Sequence, residues 1–478
     1  MAKRSAKKAA KAAKSHPVLV AVIVIFLVLV IAGAAILWYF RPDIYHKFIG
    51  IGEHTWSEWQ TEIQETCGKT GLRSHTCLVC GEYEEEVVAA TESHDYDDGE
   101  ICSVCGFDKN FFGTANDVAV AEFSIHIIDL GRYAGDSIYI KAGENDILID
   151  AGSRADSAAL ICKYLENYVT DGKLEYVIAT HADQDHIAAF AGSGNPRNGV
   201  LYKFEVDTLI HFDYVKKDKE ENASKPNTVY GGFIEAVTYL SEQGTNVYTA
   251  SECYDEVGEA KRQYWLDADQ TLSLNILYNY YYYKQSSDEN NHSVVTLFTK
   301  TTEGGNFNYL FTGDLEKDGE SRLVDYYADP SNSKSVFDIL PEVDFYKAGH
   351  HGSGTSSTAK LLDVINPRYI AVSCCAGAPE YTDNNLNTFP YQASLDNMLQ
   401  HTEKVYCTGL ATNLPEIENG KFVKKEWEYV PLNGNIVFFF NTRLNAAGET
   451  TGNIKLWCSN SFETITETEW FNQYRSRN

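Results

Sequence analysis

The sequence has few basic residues for its length and only one long apolar run. Its 478 residues include 40 Lys and Arg against 67 Asp and Glu, which gives a formal net charge of −27. Six of the bases lie in residues 1–16, which hold no acidic residue, so the rest has 34 bases against 67 acids, a charge of −33. Such an acidic body repels polyanions over much of its surface. Any nucleic acid that it handles must be held locally, by metal ions or by a small basic patch.

Apolar and aromatic residues are not scarce, since they make up 44% and 13% of the chain. These fractions exclude a wholly disordered or collagen-like protein. At about 100–200 residues per domain, the length allows about two to four domains. The chain is therefore long enough to bury the core of an enzyme.

The single long run without charges extends from Val18 to Phe40. At about 1.5 Å per residue it spans about 35 Å as a helix, enough for a bilayer. The bases of residues 1–16 predict a cytoplasmic N-terminus, with residues 17–40 as a transmembrane anchor in the lipid bilayer and an extracellular body. A cleaved signal peptide is the alternative, because Ala32-Gly33-Ala34 resembles a cleavage site. The run exceeds the usual apolar stretch of about 7–15 residues, which favours the uncleaved anchor.

Five of the 11 cysteines are crowded into residues 41–112, together with several histidines. Two C-x-x-C pairs stand 21 residues apart, close to zinc-ribbon spacing, because two thiolates at this separation can grip one tetrahedral ion. We therefore expect structural zinc, without a catalytic role, in a small zinc-ribbon-like region. The candidate ligands are His54, Cys67, Cys77, Cys80, His94, Cys102 and Cys105.

The grouping of these ligands stays open at the level of sequence. Residues 54–56, Cys67 and 77–81 resemble the Cys/His modules of surface proteins from Gram-positive anaerobes, and the resemblance implies a Cys3His set. Residues 94–106 match that pattern in part and leave a second site one ligand short. Disulfides are the alternative in an oxidising exterior, although five cysteines cannot all pair with one another. We expect the remaining cysteines to be small buried hydrophobic residues.

From about Val118 the chain alternates between predicted strands and helices. The apolar strand 176–179 runs directly into the sequence His-Ala-Asp-Gln-Asp-His at residues 181–186. Strand ends of this kind are where α/β folds place their chemistry. Four donors within six residues are too close together to surround a single ion, which indicates a binuclear metal centre.

The order of the motifs resembles that of metallo-β-lactamase-fold hydrolases, and more narrowly the extracellular hydrolase domain of ComEC competence proteins. Residues 181–186 read His-x-Asp-x-Asp-His, as that branch does, where the wider superfamily has His-x-His-x-Asp-His. Residues 132–134 depart from the usual spacing, and Phe389 stands where the branch usually has histidine. The resemblance implies an α/β fold, a four-layer αββα sandwich, over residues 118–445. The other matching segments are 123–140, 148–152, 310–314 and 347–353.

The resemblance also implies which side chains hold two divalent ions. Asp314 is expected to bridge them, and Asp185, His350 and His351 are the candidate catalytic residues. Of the two adjacent histidines, one ligates metal and the other faces the leaving group, and the sequence leaves the choice open. Asp150 and Lys347 are expected to support the site. For His292 the alternative is a hydrogen-bonding position beside the ligands, because ComEC-like chains usually carry asparagine there. The implied metal ligands are His181, Asp183, Asp185, His186, His292, Asp314 and His350.

Two divalent ions about 3.5–4 Å apart make hydroxide available at neutral pH. Asp183 in place of histidine makes the first site harder, so manganese competes with zinc as the working metal. The resemblance implies cleavage of phosphodiesters in nucleic acid or nucleotides. A lactone, thioester or amide hydrolase of the same fold is one alternative, and a non-enzymatic surface binding protein is another.

Two further regions carry weaker expectations. The tyrosine-rich insert at residues 212–287 offers rings on which bases could stack, although packing on the core is the favoured interpretation. Residues 446–478 show no clear pattern and are expected to form a C-terminal tail. Trp457, Trp470 and Phe471 are the residues of this tail that could pack on the domain.

Overall fold

A computed structural model gives the structure of most of the chain outside its N-terminal region. Within the described residues no helix is long and apolar enough to cross a membrane, which contradicts the single-pass localisation predicted from the sequence. The apolar run at 17–40, on which that prediction rested, lies outside the described residues, as do the basic tail 1–16 and Cys105. The structure describes residues 54–63, 65, 67, 71–88, 91, 94–96, 102, 109–194, 196–332, 340–379, 382, 384–414, 416–423, 426–444 and 450–475.

The chain forms two compact units. The smaller unit, whose described residues include 54–63 and 71–88, contains an antiparallel sheet of β1 (Gln60–Ile63), β2 (Gly71–Thr76) and β3 (Tyr83–Val88). The rings of Trp56 and Trp59 both stack on His75, with centroids 4.2 Å and 3.7 Å away. Stacked rings thus supply packing among the described residues of this unit.

The larger unit, residues 67–69 and 93–478, contains two eight-stranded mixed sheets. The first has the order β21-β20-β4-β5-β6-β7-β8-β9, and its strands from β6 to β9 are parallel. Their bounds are β4 Phe123–Ile127, β5 Ile138–Ala142, β6 Asn145–Ile149, β7 Lys173–Ala179, β8 Glu205–His211, β9 Asn246–Thr249, β20 Ile436–Leu444 and β21 Thr450–Cys458.

The second sheet has the order β10-β11-β12-β13-β14-β15-β16-β19, and its strands from β13 to β16 are parallel. A separate two-stranded hairpin, β17 (Ile417–Glu418) and β18 (Lys421–Phe422), lies outside both sheets. The bounds in the second sheet are β10 Gln263–Trp265, β11 Leu272–Ile276, β12 Thr296–Thr302, β13 Gly305–Phe311, β14 Phe345–Lys347, β15 Tyr369–Ala376, β16 Val405–Thr412 and β19 Glu428–Pro431.

Helices cover the outer face of each sheet. In the described residues they are α1 Ala115–Val120, α2 Ala158–Leu165, α3 Gln184–Ala191, α4 Val200–Lys203, α5 Lys217–Glu220, α6 Val229–Gln243, α7 Ala250–Asp255, α8 Lys317–Ala328, α9 Ala359–Ile365, α10 Gln392–Leu399 and α11 Glu469–Tyr474. One apolar cluster contains buried side chains of α2, α3 and α6 with the first sheet, and another contains those of α8, α9 and α10 with the second. The four-layer αββα architecture is therefore confirmed for these residues.

Aromatic side chains join the inner faces of the two sheets. Phe123 of β4 makes an edge contact with Tyr309 of β13 at 4.8 Å between centroids, and Phe345 of β14 lies 4.8 Å from Phe438 of β20. Fully buried rings of this size dominate the energetics of a core. This packing brings the carboxyl ends of parallel strands from both sheets to one edge, where β6, β7, β13 and β14 end.

The structure changes one of the weaker expectations from the sequence and agrees with another. Residues 450–475 are an integral part of the larger unit, because β21 pairs with β20 and both Trp470 and Phe471 are buried. Tyrosines 280–282 form a short 3-10 turn, and Tyr278 stacks on Tyr326 at 3.7 Å. The tyrosine-rich insert thus packs on the body of the protein, as the favoured interpretation expected.

Candidate metal centre

Four side chains from three separate segments of the chain converge on one cluster. Asp185, His186, Asp314 and His351 place their ligand-type atoms within 4.8 Å of one another. The Nε2 atoms of His186 and His351 are 3.3 Å apart, and Asp314 Oδ2 lies 3.0 Å and 3.3 Å from them. Asp185 Oδ2 lies 3.6 Å from His351 Nε2. Two imidazoles and two carboxylates facing one point are a donor set typical of a divalent metal ion.

The chain reaches this cluster where parallel strands end. After β7, residues 180–183 turn the chain into α3, so that Asp185 and His186 lie in its first turn. Asp314 follows β13 through Gly313, which has a φ of 54°. A Cβ at Gly313 would lie 2.9 Å from the nearest side-chain atom, so this close approach requires glycine.

Asp150, which follows β6, orients His186 from behind the cluster. Its Oδ2 lies 2.7 Å from His186 Nδ1 and accepts a hydrogen bond from the Thr180 hydroxyl at 2.6 Å. Its Oδ1 accepts a hydrogen bond from the Thr180 amide at 2.7 Å. A carboxylate on Nδ1 fixes the tautomer whose free lone pair is on Nε2, the atom that faces Asp314 and His351.

His351 is oriented by a backbone carbonyl. Its Nδ1 lies 3.0 Å from the carbonyl oxygen of Ser373 and 3.4 Å from Asp136 Oδ1. Lys347 Nζ lies 2.6 Å from Asp136 Oδ2, and both of these side chains are buried. Burial alone would raise the pKa of Asp136, but the Lys347 ammonium and the His351 ring hold it below its usual value. Lys347 therefore affects the cluster indirectly, because it pairs with Asp136, whose other oxygen lies near His351.

The cluster concentrates negative charge in a buried place. Burial alone would raise the pKa of Asp314, but the neighbouring imidazoles of His186 and His351 hold it well below its usual value. Burial alone would lower the pKa of His186, but the carboxylates of Asp314 and Asp150 raise it well above its usual value. Both shifts arise because buried carboxylates attract positive charge to this point.

Two of the buried ligand-type atoms at the centre, one in the cluster and one next to it, have no hydrogen-bond partner among the described residues. They are Asp314 Oδ1 and His181 Nε2, and both are buried. A buried polar atom without a partner costs about 1–3 kcal/mol, and a charged one costs more. A divalent cation would supply the missing interaction, so the residues present fit the metal ion that the sequence implies.

His181 and Asp183, the predicted ligands of the other ion, lie next to each other but outside the four-donor cluster. His181 Nε2 is 3.6 Å from Asp183 Oδ2. The other oxygen of Asp183 forms an ion pair with Lys219, whose Nζ also donates to the Ala182 carbonyl at 2.8 Å. An ammonium thus competes with a metal ion for Asp183. Lys219, on α5, belongs to none of the sequence motifs.

His292 is buried but lies outside the cluster. Its Nε2 accepts a hydrogen bond from the Ser286 amide at 2.9 Å, and its Nδ1 lies 3.7 Å from Glu289 Oε1. The nitrogen lone pair that a metal ion needs is therefore used by the backbone. The structure does not support a ligand role for His292, and it places the neighbouring Asn290, rather than His292, on the cleft described next.

A cleft of about 510 Å³ opens above the centre. His350 lines it with 21% of its side chain exposed, and its Nδ1 lies 3.3 Å from Glu316 Oε1. Its Nε2 lies 3.8 Å from Asp314 Oδ2, but the ring is not in the four-donor cluster. Both His350 and His351 have positive φ, 45° and 52°, and this tight turn sends adjacent side chains to different places. The ligand position predicted for His350 is thus taken by His351.

One cationic side chain, Arg154, is among the residues that line the cleft; the others are Ala134, Ser153, Asp183, Gln184, Asp185, Asn290, Asp314, His350 and Phe389. Its guanidinium carbon lies 3.9 Å from the centroid of the Tyr133 ring, a cation–π contact. Tyr133 belongs to residues 132–134, where the sequence departs from the ComEC spacing. The sequence shows the departure from family spacing, but it does not show that Tyr133 contacts Arg154.

The candidate structural ligands fall into two separate groups. His54, Cys77 and Cys80 form one, and Cys67, His94 and Cys102 form the other. Cys105 lies outside the described residues.

Comparison with known proteins agrees with the fold. A model of the metallo-β-lactamase superfamily matches residues 130–250. ComE operon protein 3 of Bacillus subtilis is 25% identical over 307 residues, which cover 60% of this chain and 32% of that protein. Competence protein ComA of Neisseria gonorrhoeae is 24% identical over 252 residues, which cover 53% of this chain and 27% of that protein. The matched part thus spans between a quarter and a third of these relatives.

The sequence identity to solved structures is lower. A metallo-β-lactamase-type protein from Thermotoga maritima has a TM-score of 0.24 and 16% identity, covering 40% of this chain and 79% of that one. The subclass B3 metallo-β-lactamase MEM-A1, from a soil metagenome library, has a TM-score of 0.23 and 13% identity, covering 40% and 60%. The sheet architecture and the family match together identify a metallo-β-lactamase fold, in a chain distantly related to two competence proteins.

Proposed function

We propose that this chain is a metal-dependent hydrolase that cleaves phosphodiesters in nucleotides or nucleic acid. The observation that carries the proposal is the four-donor cluster of Asp185, His186, Asp314 and His351 beneath an open cleft. The same cleft is lined by an imidazole that is not part of the cluster, His350, and by a guanidinium, Arg154. These three features correspond to the needs of hydrolysis of an anionic ester: a Lewis acid, a proton donor and an anion-binding group.

The four clustered side chains would hold one divalent ion, either zinc or manganese. When bound, such an ion neutralises charge on the substrate and makes hydroxide available near neutral pH. Asp150 and the Ser373 carbonyl keep the Nε2 lone pairs of His186 and His351 directed at the ion. A second ion at His181 and Asp183 would have to displace Lys219 from Asp183.

His350 is the group that we assign to proton transfer. Glu316 Oε1 lies 3.3 Å from its Nδ1 and also accepts hydrogen bonds from Asn290 at 3.2 Å and Thr355 at 3.0 Å. A carboxylate held in this way fixes the imidazole with Nε2 toward the cleft. His350 can then give a proton to the leaving oxygen, as general acids do.

Arg154 would donate hydrogen bonds to a non-bridging oxygen of the substrate phosphate. A guanidinium offers several donors in a fixed plane, which suits phosphate. A local cation is needed because the chain as a whole has a net charge of −27 and repels polyanions. The distant relationship to two competence proteins adds weight to a phosphodiester over a neutral ester or amide.

The test is hydrolysis by the purified full-length chain after chelation and reloading with manganese, zinc or magnesium. Bis-p-nitrophenyl phosphate, nitrocefin and a panel of lactones distinguish the substrate classes. We expect turnover of the phosphodiester with manganese or zinc, and loss of this turnover in Asp314→Asn. Turnover of nitrocefin or lactones alone would assign the site to amides or lactones, and no turnover of any of them would contradict a hydrolase.

A further inference from the structure

The His54 group is a built site within the smaller unit. Cys77 and Cys80 face each other across a turn in which the Gly81 amide donates to the Cys77 carbonyl at 2.9 Å, and Gly81 has a φ of 77°. The Leu78 amide of this turn donates to the Thr55 carbonyl at 2.8 Å, which ties the turn to the residue after His54. Cys80 Sγ lies 3.6 Å from His54 Nδ1. The three donors are therefore brought together by backbone hydrogen bonds from two chain segments.

The His54 ring is also oriented by its neighbours. Its Nε2 lies 3.2 Å from Glu82 Oε2, so a carboxylate takes the nitrogen that points away from the cysteines. The ring stacks on Trp56 with centroids 5.0 Å apart and an angle of 16° between planes. A carboxylate behind a metal-binding histidine is the usual support that fixes its tautomer. This arrangement directs the Nδ1 lone pair toward Cys80.

His75, by contrast, is excluded as a ligand by its surroundings. The centroid of its ring lies 3.7 Å from that of Trp59 and 4.2 Å from that of Trp56, in the same stack of rings. Its Nε2 pairs with Glu84 at 3.1 Å. His54 thus faces the cysteines, whereas His75 stacks on both Trp56 and Trp59.

The second group belongs to the larger unit. Cys67 and Cys102 are buried, with their sulfur atoms 3.3 Å apart, and His94 offers a ring nitrogen within 4.8 Å of both. Cys67 belongs to this unit, although described residues on both sides of it in the sequence belong to the smaller one. Cys67 is therefore assigned to a different compact unit from Cys77 and Cys80, with which sequence order groups it.

We propose that the cysteine-rich region holds two separate zinc ions, one on His54, Cys77 and Cys80, the other on Cys67, His94 and Cys102. Thiolate and imidazole donors in tetrahedral sites select zinc. Each ion would link donors that are separated in the sequence, and structural zinc contributes directly to the folding of segments linked in this way. This proposal is independent of the hydrolase activity.

The grouping is tested by counting zinc in the full-length protein, purified under reducing conditions, by inductively coupled plasma mass spectrometry. Cys80→Ser and Cys102→Ser should each lose one ion per chain relative to the unmodified protein. The double variant Cys67→Ser with Cys102→Ser should lose one, and Cys67→Ser with Cys80→Ser should lose two. The reverse result for the two double variants would overturn the grouping. Cys162→Ser, a buried cysteine outside both groups, is the matched control and should lose none.

A second measurement needs no variant and so does not depend on folding of the altered chains. The zinc-loaded protein is treated with limiting chelator and an alkylating reagent, and the labelled cysteines are located by mass spectrometry. Cys77 and Cys80 should become labelled together, and Cys67 should become labelled together with Cys102. Labelling of Cys67 in step with Cys77 would contradict the proposal. Cysteines that resist alkylation in denatured, unreduced protein would show a disulfide and overturn the zinc site concerned.

Discussion

Asp150 and His186 lie 2.7 Å apart, carboxylate Oδ2 to imidazole Nδ1, with both side chains fully buried. The same carboxylate accepts two hydrogen bonds from Thr180, so it cannot swing away from the ring. The opposite nitrogen, Nε2, is then the atom that meets Asp314 and His351. A residue that would never touch the metal ion thus determines whether His186 can bind it.

Replacement of Asp150 by Asn should weaken metal binding by about 10-fold to 100-fold, the usual effect of losing such support. The affinity can be measured by competition with a chromophoric chelator, with circular dichroism to verify folding. Asp146→Asn is the matched control, because Asp146 is a buried carboxylate at the other end of β6 that pairs with Lys141 at 3.2 Å. Equal weakening in both variants would mean that Asp150 is only structural.

Substitutions of the adjacent residues His350 and His351 should affect metal binding and turnover differently. His351→Ala removes a side chain of the four-donor cluster, so we expect loss of the bound ion together with activity. His350→Ala should keep the ion and lose about 100-fold or more in kcat, the usual contribution of a general acid. Metal content and kcat are measured on the same samples. Equal loss of metal in both variants would contradict this division.

Arg154 should govern affinity for anionic substrates. Arg154→Gln is expected to raise KM for bis-p-nitrophenyl phosphate about 10-fold or more, because a charge-assisted hydrogen bond contributes about 1.5–3 kcal/mol. Hydrolysis of the neutral p-nitrophenyl acetate, if present, should not change. Arg132→Gln is the control, since Arg132 lies over Trp427 at 4.5 Å and does not line the cleft. An unchanged KM in Arg154→Gln would remove Arg154 from substrate binding.

The sequence predicted best those features that depend on short stretches of chain. Residues 181–186 follow a buried apolar strand, and Asp150 and Asp314 also follow strands, so their common location at one edge of the sheets could be inferred from order alone. The four-layer architecture was expected from the resemblance of the ordered motifs to those of metallo-β-lactamase-fold hydrolases, and not from the alternation of elements. Membrane localisation was predicted wrongly, from residues outside the described part of the chain.

The features that sequence could not supply depend on tertiary contacts. His350 and His351 are neighbours, and only the left-handed turn with φ of 45° and 52° decides which ring reaches Asp314. Lys219 contacts Asp183 across 36 residues of chain and belongs to no motif. The backbone amide of Ser286 donates a hydrogen bond to Nε2 of His292, which the sequence predicted as a metal ligand. No local pattern marks any of these relationships.

Lys219 should limit the centre to one tightly held ion. Two like unit charges 4 Å apart repel by about 4 kcal/mol at an effective dielectric constant of about 20, so an ammonium on Asp183 opposes a second cation there. Lys219→Met is expected to raise affinity for that second ion about 10-fold or more, measured by metal titration of chelated protein. Lys217→Met, an exposed lysine on the same helix α5, is the control. Unchanged metal stoichiometry and affinity in Lys219→Met would show that the ammonium does not hinder binding of a second ion at Asp183.

Glu320 should make the stability of the larger unit depend on pH. This side chain of α8 is fully buried, and its carboxylate accepts hydrogen bonds from the amides of Ser357 at 2.6 Å and Thr358 at 2.9 Å. Burial outweighs these bonds and raises its pKa from 4.5 to about 7. A pKa raised by folding means that the folded state prefers the protonated form. The stabilisation is therefore complete below about pH 4.5 and is lost as the pH rises through 7.

Replacement of Glu320 by Gln should remove this dependence, because the amide does not ionise. At pH 8 the charged carboxylate costs the folded state on the order of 3 kcal/mol relative to pH 4.5, at about 1.4 kcal/mol per pKa unit. Urea unfolding between pH 4.5 and pH 8 should thus show the variant gaining stability relative to the unmodified protein as pH rises. Asp325→Asn, at an exposed position of the same helix, controls for removal of a charge. Parallel stability curves for the unmodified protein and Glu320→Gln would mean that Glu320 is ionised throughout, held by the two amides.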